Sequence, residues 1–415
     1  MKNKPTKIIY LDNASTTKID DEVLKTMAPY LKENFGNPSG LYELSGKSLF
    51  AVTAARSKTA EILRCAPSEI IFCGSGTESD NLAVFGTVKA FLTNHPKIKP
   101  HIVTSVIEHK AVLEPCRQLE KDGLAEVSYL KVNREGLVSP EDVKNALKKN
   151  TALVSVMYAN NEIGTIQPIA EISKIIKDFR SISTHHKPLT THYPLFHTDA
   201  CQAAPYLEID VQKLAVDLMT LNGSKIYGPK GIGLLYKREG TPLSPMILGG
   251  GQENGYRSGT ENTALIAGFA KALELARKNR VKESIRQKIL RDYFIAGIMK
   301  RVPKTILNGS KEKRLPNNVN VAIFDVEGES MVLKLDAFGI CASTGSACNS
   351  KSLKPSYVLE AIGRPREVSH GSLRFTLGKE TAKKDIDCVL KVLPKIVGEL
   401  RAMSPVRIKK LATYN

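Results

Sequence analysis

Short apolar runs alternate with amphipathic segments through the first two thirds of the chain. Runs at residues 69–72, 101–104, 127–130, 152–156, 218–221 and 232–236 have the length and branched or aromatic content of strands. Helical spacing lies between several of them. Leu82, Phe85, Val88 and Leu92 share one helix face, and Ile169, Ile172, Ile175 and Ile176 share another. This alternation predicts an α/β fold, a mostly parallel sheet flanked by helices. Ligands of such sheets gather at the carboxyl ends of the strands, so the loops after each run are where chemistry belongs.

The texture changes near residue 270. A charged helical pattern over residues 270–299 leads into shorter strand and helix segments that end near residue 400. A chain of 415 residues exceeds what one hydrophobic core usually supports. The expectation is a large domain over residues 1–270 and a smaller α+β domain over 271–415. Residues 181–196 are polar, contain two prolines and break the rhythm, which reads as a surface insertion. His185, His186 and His192 stand there without a cysteine or carboxylate beside them, so no metal site is expected.

Charge changes the picture little. Lys and Arg total 60 against 42 Asp and Glu, a net +18. The basic residues are scattered in pairs, with one short cluster at 311–314 and no interleaved aromatics. Direct nucleic-acid contact is therefore not expected, while small anions are favoured by the field. The basic first seven residues precede only four apolar or aromatic ones, too few for a secretory signal or a membrane span. A cytoplasmic protein is the expectation. Seven cysteines at irregular spacing, with no C-x-x-C pair, argue against a disulfide framework or a zinc site. Most, Cys341 among them, should be small buried hydrophobes. Cys348 is different, because residues 343–350 form a small polar loop suited to a reactive thiol.

Five loops carry candidate chemistry. Gly74-Ser75-Gly76-Thr77 follows a strand and opens a helix, which suits a phosphate cradle or a plain capped turn. His109 follows the next strand. It could stack on a planar ring and move protons, or be structural. Asn161 follows a third strand. Asp199, in His197-Thr198-Asp199-Ala200-Cys201-Gln202, could pair with a pyridinium nitrogen or cap a helix. Lys225, in Asn222-Gly223-Ser224-Lys225, could condense with an aldehyde cofactor or be a solvated loop lysine.

Singly these signals are weak, but their order is specific. The chain resembles the cysteine desulfurases of the NifS/IscS type, in the fold-type I pyridoxal-phosphate superfamily. The resemblance runs from Tyr10-Leu11-Asp12-Asn13 to Met403-Ser404-Pro405, and also rests on Arg257-Ser258-Gly259-Thr260 and Gly345-Ser346-Ala347-Cys348. It implies pyridoxal 5'-phosphate held covalently by Lys225. Asp199 would meet the ring nitrogen, Gln202 the phenolic oxygen, and His109 the ring face, with Asn161 beside it. Gly76, Thr77, Asn222 and Ser224 would hold the phosphate, with Thr260 reaching in from a second subunit of a homodimer. Asn37 and Arg374 would bind the substrate carboxylate, a task suited to the planar guanidinium fork. L-cysteine would give L-alanine and a persulfide on Cys348. An iron–sulfur scaffold or a tRNA-thiolation protein would receive the sulfur. The alternatives are a selenocysteine lyase, another class-V aminotransferase-type enzyme, or a basic protein without a cofactor. One departure stands out: the family usually has Ser-Gly-His-Lys where this chain has Asn222-Gly223-Ser224-Lys225.

Overall fold

The computed structural model describes residues 7–183, 193–344 and 355–403. Its main sheet has seven strands: β2 (Ile70–Cys73), β3 (His101–Ser105), β4 (Glu126–Leu130), β5 (Thr151–Ser155), β6 (Leu195–Asp199), β7 (Leu218–Asn222) and β8 (Gly233–Lys237). They follow β1 (Ile9–Tyr10), and their spatial order is β2-β8-β7-β6-β5-β3-β4. Only β8 runs antiparallel to its neighbours. Both faces are covered, as a parallel sheet requires. Alternation along the strands shows it. Ile70 and Phe72 enter one core, and Ile71 and Cys73 enter the core on the opposite face.

A second, three-stranded antiparallel sheet has the order β12-β10-β9, formed by β9 (Thr305–Leu307), β10 (Asn318–Ile323) and β12 (Ser372–Thr376). Between the last two lies β11 (Ile340–Cys341), which pairs in parallel with β1. Leu11 is buried in the core of this smaller sheet, together with Phe294, Val321 and Phe375. The helix Thr263–Arg301 serves both cores. Phe269 and Leu273 on its early turns pack into the large one, and Phe294 and Ile298 on its late turns into the small one.

Two expectations are corrected. The polar stretch at 181–196 does not read as one insertion. Residues 181–183 end the helix Ile169–Ser183, and Leu195 and Phe196 are buried at the start of β6. The helix and strand were hidden because each intrudes on the stretch by only a few residues. Cys341 is half-buried rather than buried, because β11 lies at the edge of a two-stranded pairing. Among the described residues no helix is long and apolar enough to cross a membrane.

Candidate active site

A cavity of about 230 Å³ opens at the carboxyl ends of β2, β3, β5, β6 and β7. At one end of it, β2 turns into the helix Gly76–Asn94. Ser75 is the N-cap, and its hydroxyl accepts from the Glu78 N–H at 3.1 Å. That cap leaves the first two helix N–H groups, on Gly76 and Thr77, for another partner. A side chain at Gly76 would crowd its neighbours. A Cβ would stand 3.1 Å from Cys201 Sγ and 3.2 Å from the Asn222 side chain. The turn is braced from outside. Glu78 accepts from the Gly74 N–H and from Arg257, each at 2.9 Å. Glu253 takes Arg56 in a two-bond fork at 2.7 and 2.8 Å and also accepts from the Phe72 N–H.

The loops after β6 and β7 face this turn. Asp199 caps its own loop by accepting from the Cys201 N–H at 2.9 Å. Gln202 donates to the Ala14 carbonyl at 2.9 Å. Asn222 caps the short helical turn Gly223–Lys225: its Oδ1 accepts from both the N–H and the hydroxyl of Ser224, at 3.1 and 3.2 Å. The Asn222 amide NH₂ stays on the cavity side, beside Gly76. Lys225 projects into the cavity and donates to the Ser15 carbonyl. Burial lowers its pKa, which favours the neutral, nucleophilic amine.

His109 caps the helix Lys110–Lys121. Its Nδ1 accepts from the Ala111 N–H at 3.1 Å, which places the imidazole proton on Nε2. Burial lowers its pKa, so the ring is neutral near pH 7. Arg374, on β12, reaches across from the small sheet. Its guanidinium donates to the Asn161 carbonyl at 3.0 Å, the Asp12 carboxylate at 2.8 Å and the Ser15 hydroxyl at 2.9 Å. One side chain thus ties both sheets and the N-terminal segment at the cavity.

Two buried acids stand behind these residues. Glu108 Oε1 accepts from the Ser105 hydroxyl at 2.6 Å and the Met157 N–H at 3.0 Å. Burial pushes its pKa up to about 8. Glu162 accepts from the Ser356 hydroxyl, and burial pushes it up to about 7. Tyr357 lines the cavity and donates to the Glu108 carbonyl at 2.6 Å.

The fold therefore brings Gly76, Thr77, His109, Asn161, Asp199, Gln202, Asn222, Lys225 and Arg374 to one cavity. Ser224 is not in the lining, because its hydroxyl is turned to Asn222. Asn37 and Thr260 are exposed and outside this chain's cavity. Cys348 lies outside the described residues. The lining also includes Asp80, Cys201, Ser15 and Tyr357, which the sequence reading did not select. Spacing could have found Asp80, since it lies one helical turn after Gly76 on the same face.

This donor set fits pyridoxal phosphate. Spare helix N–H groups and a side-chain amide suit its phosphate, a buried lysine amine its aldehyde, and an aspartate its ring nitrogen.

Residues 9–389 match the model of the aminotransferase class-V family. A cysteine desulfurase IscS of Dictyoglomus turgidum is 49% identical over 397 residues, 96% of each chain. A solved NifS-like protein superposes with a TM-score of 0.86 at 33% identity, covering 95% of this chain and all of its own. A second, SspA in complex with cysteine, gives 0.75 at 36% identity, over 89% of this chain and 98% of its own. The chain belongs to the class-V aminotransferase family, within its cysteine desulfurase group.

Proposed function

We propose that the protein is a pyridoxal-phosphate-dependent cysteine desulfurase that converts L-cysteine and the Cys348 thiol into L-alanine and a Cys348 persulfide. The observation that carries this reading is the single cavity that joins Lys225, Asp199, His109 and the phosphate-ready turn at Gly76 to Arg374. Bound pyridoxal phosphate supplies an aldehyde for covalent capture and a sink for electrons. The residues supply the rest. Gly76, Thr77 and Asn222 hold the phosphate, with Ser224 fixing the Asn222 side chain. Asp199 faces the ring nitrogen, Gln202 the phenolic oxygen, and the neutral His109 ring the cofactor's face. Arg374 binds the substrate carboxylate, and Asn161 anchors the guanidinium. Lys225, its amine shifted toward the neutral form by burial, moves the proton at the substrate Cα. His109 is placed to pass a proton at the sulfur. Sulfur balance is simple: the substrate C–S bond breaks, an S–S bond forms on Cys348, and the Cys348 proton is kept in the products.

A homodimer completes the site in this reading. Phe35, Leu41, Tyr42 and Phe50 are exposed, Leu41 fully, and cluster in sequence around Asn37. Covering such a patch with a second copy removes apolar surface from water. It also lets the exposed Asn37 and Thr260 serve the partner's cavity. The sulfur goes on to an acceptor protein, an iron–sulfur scaffold or a tRNA-thiolation protein. The reducing cytoplasm suits the six described cysteines, all free thiols. The test is the visible absorption of the purified protein. A band lost in Lys225→Ala supports the reading. A colourless wild-type protein that stays colourless with added pyridoxal phosphate overturns it.

A further inference from the structure

Asp80 has no task in the account above, yet it is among the most deeply placed groups of the cavity wall. It sits on the helix Gly76–Asn94, one turn past the phosphate-ready residue Gly76. The residue is 1% exposed and lines the cavity. Oδ1 is buried and makes no hydrogen bond. His197 Nε2 stands 3.6 Å from it.

The surroundings decide what this carboxyl can be. His197 and Asp199 lie two residues apart on β6, so both side chains leave the same face. Asp199 pairs in register with Thr220 on β7. His197 Nε2 and the Thr220 hydroxyl are 3.1 Å apart, and His197 Nδ1 and the Ser155 hydroxyl 2.8 Å. The helix carrying Asp80 packs on β5, β6 and β7, where these groups stand. Burial lowers the His197 pKa to about 4, so this ring is neutral and offers Asp80 no counter-charge. The other titratable groups around it are Asp199, Glu108 and the Cys201 thiol, all acids. Burial and the Asp199 charge both oppose ionisation of Asp80, and only the Thr220 hydroxyl favours it. A carboxyl this deeply buried, with a second carboxyl on the same cavity wall, favours its protonated form.

We propose that Asp80 is a positioning residue for Asp199: it holds a proton on its carboxyl, so the pair carries one negative charge and that charge sits on Asp199, facing the ring nitrogen. This rests on the pyridoxal-phosphate reading of the same cavity. The consequence is a specific tolerance. An amide imitates a neutral acid in shape and carries no charge. An alanine cannot fill the same space, and it leaves a void beside His197.

The test compares wild-type, Asp80→Asn and Asp80→Ala holoenzymes. The infrared spectrum at neutral pH reports protonated carboxyls directly. A protonated-carboxyl band present in the wild type and reduced in Asp80→Asn is the expected result. No difference in that region overturns the proposal. The second readout is the pH midpoint of the cofactor's visible band. Asp80→Asn should keep it within about 0.3 units of wild type, and should hold the cofactor within about twofold. Asp80→Ala should lose the cofactor roughly tenfold faster on dilution. A midpoint in Asp80→Asn displaced by a full unit means that a negative charge was removed, and refutes the assignment. Asp80→Ala indistinguishable from wild type in retention also refutes it. Asp80→Asn decides the matter alone where Asp80→Ala does not fold. A wild-type protein without any cofactor band is a different failure, since it overturns the pyridoxal-phosphate reading itself.

Discussion

Glu108→Gln should make the protein more stable at neutral and alkaline pH while leaving it nearly unchanged in acid. The glutamine carbonyl can keep both bonds that Oε1 accepts, from the Ser105 hydroxyl and the Met157 N–H. Its amide takes the place of Oε2, which is buried without a partner. The substitution therefore copies the protonated acid. The sign follows from linkage. The folded pKa, about 8, lies above the ordinary 4.5, so the stability tied to this group is full below pH 4.5 and is lost as pH rises toward 8. At about 1.36 kcal/mol per pH unit, the wild type loses roughly 3 kcal/mol between pH 5 and 8 from this group. The variant loses none of it. Thermal melting of wild type and variant at pH 5 and pH 8, at one protein concentration, measures the difference. The gap in Tm between them should widen by about 3 to 4 °C from acid to alkali. Glu162, which titrates near 7 for the same reason of burial, is common to both proteins and cancels. Melting curves that fall in parallel would show that Glu108 is ionised in the folded state, and would refute the burial argument.

Arg374→Lys keeps the charge but loses the fork that meets Asp12, Ser15 and the Asn161 carbonyl. Charge-assisted bonds are worth about 1.5–3 kcal/mol each, so kcat/KM for L-cysteine should fall by roughly tenfold to a hundredfold, chiefly through KM. Asn222→Ala removes both the cap of the Gly223–Lys225 turn and the side-chain amide proposed to meet the phosphate. Cofactor affinity, followed by absorbance during reconstitution, should fall about tenfold. Ser224→Ala removes only a hydroxyl turned toward Asn222, and should change that affinity by no more than about twofold.

The strand-end loops were legible in the sequence for a physical reason. A parallel sheet buried on both faces writes continuous apolar runs, and a glycine or polar break after each run marks where backbone approaches a ligand. Gly76, His109, Asp199 and Lys225 stand at such breaks and meet in one cavity. The burial of the acids was not legible. Helical spacing from Gly76 could place Asp80 at the cavity, but Glu108 and Glu162 look like ordinary loop residues, and no hydrophobic period distinguishes a buried carboxyl from a solvated one. The dual use of single side chains was hidden too. His109 caps a helix while its ring faces the cavity, and Asn222 caps a turn while its amide faces Gly76. Such sharing depends on the approach of segments far apart in sequence. Arg374 is the clearest case, since its partners lie more than 200 residues away.

The central claim is that sulfur leaves L-cysteine for Cys348. The most direct measurement is mass spectrometry of the holoenzyme after a single turnover with L-cysteine, together with the alanine released. One added sulfur atom on the peptide containing Cys348, equal in amount to the alanine and absent in Cys348→Ala along with it, is the predicted result. Alanine formed undiminished by Cys348→Ala would contradict the account.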